Sequence, residues 1–162
     1  MYIPFEEMPK NSRIWIYQAD RKLSEEEVIL VQTQLKAFLE QWAAHGADLK
    51  CSMRLLHNQF VIITVDEQFN GASGCSIDSS VHFVQELGSK LGINFFDRTK
   101  IAFQVDHEVF VISQTQLKEQ IRDGIISEQT PTFNNLVSNI QDFENSWIVP
   151  ANETWLGRYF NG

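Results

Sequence analysis

Phe60-Val61-Ile62-Ile63-Thr64-Val65 carries no charge and a single hydroxyl. Its β-branched content reads as a strand. Its lack of alternation reads as a strand covered on both faces, which puts it at the centre of a sheet. His57-Asn58-Gln59 forms a short turn before it, and ahead of that Leu49, Cys51, Met53 and Leu55 alternate with Lys50, Ser52 and Arg54. Such alternation marks a half-buried strand and turns Cys51 inward. The two runs are expected to pair as a hairpin.

Toward the N-terminus, Arg13-Ile14-Trp15-Ile16-Tyr17-Gln18 is a second run apolar on both faces, entered through an extended lead broken by Pro4 and Pro9. Ser24-Glu25-Glu26-Glu27 reads as a capping box, with Ser24 at the cap and Glu27 three residues on. Val28, Val31, Leu35, Phe38, Leu39 and Trp42 then keep helical spacing, with a stop expected at Gly46. Toward the C-terminus, Gly71-Ala-Ser-Gly-Cys-Ser-Ile-Asp-Ser-Ser-Val-His-Phe83 leads into a second helix carrying Ile77, Val81, Val84, Leu87 and Leu91 and stopping at Gly92. Gly88 is an unfavourable residue inside it.

Lys100 to Val105 and Glu108 to Ile112 read as a strand pair turning at Asp106-His107, or as one bent strand. Beyond them a short helix is expected around Leu117 and Ile121, capped by Ser113 and Gln116 and ended at Gly124. Thr130-Pro131 is a breaker. Leu136, Val137, Ile140, Phe143 and Trp147 form another amphipathic segment closed by Pro150, and a last helix is expected from Asn152 to Tyr159.

The order strand, helix, strand, strand, helix, strand is the plan of a ferredoxin-like βαββαβ sandwich, an α+β fold with both helices on one face of an antiparallel sheet. One domain over 1–162 is expected, with the sandwich in 1–112 and a helical extension in 113–162. The strand at 13–18 belongs beside that at 60–65, with the alternating strand at an edge. Two doubly apolar strands need cover on the second sheet face, over Ile14, Ile16 and Ile62. The C-terminal helices are favoured for this over a second copy of the chain. The plan also brings Arg13, Trp42, His45 and Ser73-Gly74-Cys75-Ser76 to one edge.

Bulk properties narrow the function classes. A net charge of −8 and a pI near 4.9 argue against a nucleic-acid partner, which needs clustered cations. Two cysteines in 162 residues point to a reducing cytoplasm. Neither a signal peptide nor a membrane-length apolar run is visible. No close His/Cys spacing suggests a metal, no cofactor motif is present, and Gly-x-x-x-x-Gly-Lys-Ser/Thr is absent.

The strand-to-helix junction holds the candidate chemistry. Cys75, close to a helix N-terminus, is a candidate nucleophile, with His45 as base or His82 paired to Asp78. Asp66, Glu67 and Asp78 oppose a thiolate there, and a small buried filler is the other reading of Cys75. Ser73, Gly74, Ser76 and Asp78 could hold a carboxylate or phosphate, with Arg13 and Trp42 at the rim. Otherwise the helix start caps itself through Ser76 or Asp78.

Arg13-Ile-Trp-Ile-Tyr-Gln18, Gln41-Trp-Ala-Ala-His-Gly46 and Ala72-Ser-Gly-Cys-Ser-Ile-Asp-Ser-Ser-Val-His-Phe83 together resemble a family of short bacterial proteins. These carry, by automatic transfer, the label ABC transporter ATPase. The resemblance extends through Phe133-Asn-Asn-Leu-Val137 and the tryptophan-bearing C-terminus. It implies membership without an activity, since ATP hydrolysis of that type needs the lysine loop. The leading expectation is a binding protein for a small molecule or a protein segment at the Arg13–His45–Ser73 edge, as monomer or homodimer. The alternatives are a Cys75-dependent enzyme and a module working through the sheet face.

Overall fold

The computed structural model describes residues 1–161. Its first part contains β1 (Arg13–Gln18), α1 (Glu25–Glu40), the two-residue strands β2 (Ala43–Ala44) and β3 (Ala47–Asp48), β4 (Cys51–Leu56), β5 (Phe60–Val65) and α2 (Gly74–Leu91). Then come β6 (Lys100–Val105), β7 (Glu108–Ser113), α3 (Leu117–Arg122), β8 (Pro131–Phe133), α4 (Ile140–Ser146) and β9 (Ile148–Pro150). The protein is α+β, with four helices and three antiparallel sheets among the described residues.

Every residue of β5 is buried, and the strand lies between β1 and β4 in an antiparallel sheet. Arg13, Val65 and Cys51 stand in one row, Trp15, Ile63 and Met53 in the next, Tyr17, Val61 and Leu55 in a third. These rows face α1 and α2, where they meet Val31, Leu35, Leu39, Val84 and Leu87. The alternate residues Ile14, Phe60 and Ile62 face the other way, onto Ala102, Val109, Val137, Ile140, Phe143 and Trp147. The second sheet face is therefore covered from within the chain, by α4 and its flanks together with β6 and β7.

The Ser24–Glu27 capping box forms with both of its hydrogen bonds. α1 stops at Glu40, however, six residues before the expected Gly46. His45 (φ 54°) and Gly46 (φ 79°) instead turn the β2–β3 hairpin, and left-handed backbone at both central positions suits a type I′ turn. Trp42 leaves the helical path to enter the core, at 3% exposure.

The four-stranded ferredoxin-like order is not evident. β6 does not join β1 but lies in a separate sheet ordered β7-β6-β8-β9. The free edge of β1 is taken elsewhere: the Ile14 N–H donates to the Ser138 carbonyl at 3.1 Å, and Arg13 bridges Asn139. The extension beyond residue 113 is also less helical than its pattern implies. Pro131 opens β8, the strand position that tolerates a missing N–H. The Leu136–Trp147 segment becomes helical only at Ile140, capped by Asn139, and leaves Leu136 90% exposed. Asn152 to Tyr159 holds two short 3-10 turns rather than one helix. Among the described residues no helix is long and apolar enough to cross a membrane.

Gly88 has a packing reason for its place in α2. A Cβ there would stand 2.5 Å from the Ile93 carbonyl oxygen and 3.1 Å from the Phe95 ring, because the chain after Gly92 folds back onto the helix. Gly88→Ala should therefore destabilise by about 1–3 kcal/mol although alanine is the better helix former. Urea unfolding checks the sign; a gain in stability would contradict the close approach.

Candidate functional site

Trp42 joins the end of α1 to the beginning of α2. Its indole Nε1–H donates to the Ser76 carbonyl at 2.9 Å, a buried bond between residues far apart in sequence. Around it, Trp15 stands edge-on at 6.3 Å between ring centres, and Phe38 lies tilted at 6.0 Å. Phe38 in turn stacks on Phe83 of α2 at 4.6 Å. Arg13 places its guanidinium 4.8 Å from the Trp15 ring and 3.6 Å from the Glu67 carboxylate. Glu67 accepts from the Ala72 N–H and so ties this group to the loop before α2.

Outside the aromatic chain, between α1 and α2, opens a groove of about 600 Å³. Its lining includes Phe38, Trp42, Phe83, Gln34, Gln41 and Ser79, and no charged side chain. In a chain with 21% charged residues, an uncharged surface recess is a distinctive chemical environment. Cys75 lies one turn before Ser79 on the same stripe of α2, beyond the end of the groove, and its side chain is exposed.

The loop itself closes on its own groups. Ser73 is the cap of α2, rather than Ser76 or Asp78: its Oγ accepts from the Ser76 N–H at 3.1 Å, while the Ser76 hydroxyl donates back to the Ser73 carbonyl at 2.8 Å. Gly74, Cys75, Asp78 and His82 are exposed. Arg13, Trp42 and the loop through Ser76 are thus linked side by side by Trp15 and Glu67. His45 sits exposed in the turn after β2, a strand that lies against α2. His82 is seven residues beyond Cys75, about 10 Å of axial rise, so those two groups do not share a proton directly. No cluster of three or more potential metal ligands occurs among the described residues.

Phe38, Phe83, Gln34 and Gln41 were not expected as site residues. Phe38 reads from its spacing as core, and Phe83 stands beside the apolar stripe marked by Val84. Their positions on facing helices, each off the deepest row, are the only signal the sequence offers.

The two thiols differ sharply. Cys51 is buried, with Sγ 3.3 Å from the Leu39 carbonyl. Burial pushes its thiol up to about 11, the Met1 ammonium pulls it back and Asp48 adds to the rise.

No protein-family model matches the chain, and no curated protein or solved structure shows a significant similarity to it. The candidate site therefore stands on geometry alone.

An aromatic disulfide reagent at pH 8 should label one thiol in the folded protein, Cys75, and two in denaturant. The Cys51 thiol ionises near 9 when unfolded and at about 11 when folded, so its contribution to stability is intact below 9 and is lost as pH rises from 9 to 11. Cys51→Ala should flatten the stability profile in that window, as read by urea midpoints. Trp42→Phe removes this buried hydrogen bond and part of a buried ring, although the Ser76 carbonyl stays in the α2 ladder, and should cost about 1–3 kcal/mol by urea unfolding.

Proposed function

We propose that the protein is a non-catalytic binding module whose groove between α1 and α2 takes an uncharged, apolar side chain from a segment of a partner protein. One observation carries this reading: the groove offers the stacked Phe38–Phe83 pair and Trp42 beside the amides of Gln34 and Gln41, with no charge among them. Aromatic surface supplies apolar contact area with little loss of side-chain freedom, while amides bond a peptide backbone of any sequence.

A protein segment suits the shape better than a small molecule. Small-molecule sites usually enclose most of the ligand, whereas this groove lies open along one side. Arg13, Ser73 and Ser76 serve the proposed site by holding its floor, because Arg13 braces Trp15 and the Ser73–Ser76 turn presents the carbonyl that fixes Trp42. Gly74, Cys75 and Asp78 are exposed at the start of α2 but do not line the groove, so they take no direct part in this reading.

The reading of Cys75 as a nucleophile has less support. His45 and His82 make no hydrogen bond with it among the described residues, and Asp78 and His82 make none with each other. A module acting through the sheet face loses its exposed surface, since α4 and the second sheet cover that face. The resemblance to the short bacterial family supports a common identity for the chain, and we extend the binding role, not ATP hydrolysis, to that proposal.

Peptides selected from a random library against the full chain should converge on sequences with an aromatic or branched apolar anchor. Phe83→Glu should weaken them at least about tenfold, as an anchor pocket does when a charge enters it. Ile125→Glu, at an exposed position outside the groove, should leave binding unchanged. Selected peptides indifferent to Phe83→Glu would overturn the assignment.

A further inference from the structure

β4 is the outer strand of the three-stranded sheet. The Lys50 carbonyl accepts from the Asp66 N–H at 2.9 Å, so the even-numbered residues of this stretch face β5. Cys51, its side chain in the core, accordingly turns its backbone groups away from β5, where its N–H donates to the Met1 carbonyl and its carbonyl accepts from the Ile3 N–H, both at 3.0 Å. At Pro4 the chain bends into the 3-10 turn Phe5–Glu7 and leaves the edge. Met53 and Leu55 repeat the outward orientation at the two-residue strand period. Among the described residues nothing bonds their outward N–H and C=O groups.

A recess of about 370 Å³ runs beside these bare groups. Tyr2, Phe5, Gln32, Met53 and Leu55 wall it, together with the ion-paired Glu6 and Arg54. Ile29, 62% exposed, lies one turn before Gln32 on the same flank of α1. Lys36, one turn beyond Gln32, holds its ammonium 5.3 Å from the Tyr2 ring and pairs with no carboxylate among the described residues, Glu40 included. Arg54, whose side chain alternates with those of Met53 and Leu55, is already held by Glu6 at 2.9 Å and lies over the Phe5 ring, so this pair leaves no free cation among the described residues of the recess wall.

We propose that this edge binds an extended segment of a partner protein by strand addition, with apolar side chains toward Met53, Leu55 and Ile29 and a carboxylate toward Lys36. Strand addition satisfies the open backbone row and extends the pairing that Met1 to Ile3 begins. The unpaired Lys36, beside the Tyr2 wall of the recess, would favour an acidic residue on the bound segment. A second copy of the chain fits less well. The two-fold antiparallel pairing that uses Met53 and Leu55 of both copies sets Arg54 directly opposite its own counterpart, and like charges so placed repel. The proposal is independent of the α1–α2 groove, which lies on the other flank of α1.

Short peptides of alternating valine and threonine, ending in either Asp-Glu or Lys-Lys, provide the probe, with amide exchange of the full chain followed by NMR. The acidic peptide should bind about two- to fivefold more tightly than the basic one, the scale of one exposed ion pair. It should slow exchange at Met53 and Leu55, while Ser52 and Arg54, already in the ladder, change little. Leu55→Pro removes an outward N–H but no ladder bond and should abolish the effect. Lys36→Glu, a surface change that leaves the strand intact, should reverse the charge preference and keeps the test decisive if the proline variant fails to fold. Three results would overturn the proposal: no protection of Met53 and Leu55 by either peptide at millimolar concentration, protection that grows with protein concentration alone, or binding without preference between the two peptide ends.

Discussion

Burial of β5 on both faces is the constraint from which the rest of the fold follows. A strand of Phe, Val and Ile without alternation leaves no side for water, so the chain must supply two separate covers. The α1–α2 layer supplies one, meeting Val61, Ile63 and Val65. α4, its flanks and the second sheet supply the other, meeting Phe60 and Ile62. Full burial of such a residue contributes on the order of 1.5–3 kcal/mol, so neither cover is dispensable in a fold of ordinary marginal stability. Thr64, the one hydroxyl of the strand, donates to the Arg13 carbonyl and so does not spoil the apolar layer.

Much of this was legible in the letters. Continuous apolarity placed β5 in the centre, alternation placed β4 at the edge with Cys51 inward, and the Ser24–Glu27 box marked the start of α1. The need for a second cover followed from Ile14 and Ile62 alone. The fate of β6 did not follow, because it depends on which segment reaches the open edge of β1 first in space. Ser138 and Asn139 hold that edge, and nothing near residue 100 announces it. Strands of three residues are too short to show a period, so β8 passed as the breaker at Thr130-Pro131 and β9 as the close of an amphipathic segment. A left-handed histidine before Gly46 made a hairpin where helical spacing, carried one step too far by Trp42, suggested another turn of α1.

Trp42 shows how the site was half visible. Its apolar ring fits a core position, and from spacing it counts as one more residue of the helix stripe. Its polar handle decides the matter, because a buried indole N–H needs an acceptor. The Ser76 carbonyl is that acceptor, at the first turn of α2 where carbonyls begin to be committed to the helix ladder. The junction that the sequence marked by glycines, serines and a cysteine thus matters less for its free N–H groups than for the carbonyl it offers inward. The groove then forms as a by-product of the same bond, since drawing Trp42 inward leaves Phe38 to stack on Phe83 at the surface.

α1 gives the two proposed surfaces their independence. Val31, Leu35 and Leu39 form its buried stripe, with Gln34, Phe38 and Gln41 on the flank toward α2 and Ile29, Gln32 and Lys36 on the flank toward β4. A helix with its side chains is about 10 Å across, enough to keep a segment on one flank clear of a segment on the other. The flanks also differ in what they ask of an occupant. One presents aromatic rings and amides without charge; the other presents bare backbone beside an unpaired ammonium. On an acidic molecule an unpaired ammonium is what the proposed acidic strand would need to offset the general repulsion of the surface. Two segments of one partner, one apolar and one acidic, could therefore straddle α1, each held by contacts the other does not use. Linking them would raise the effective concentration of the second once the first has bound.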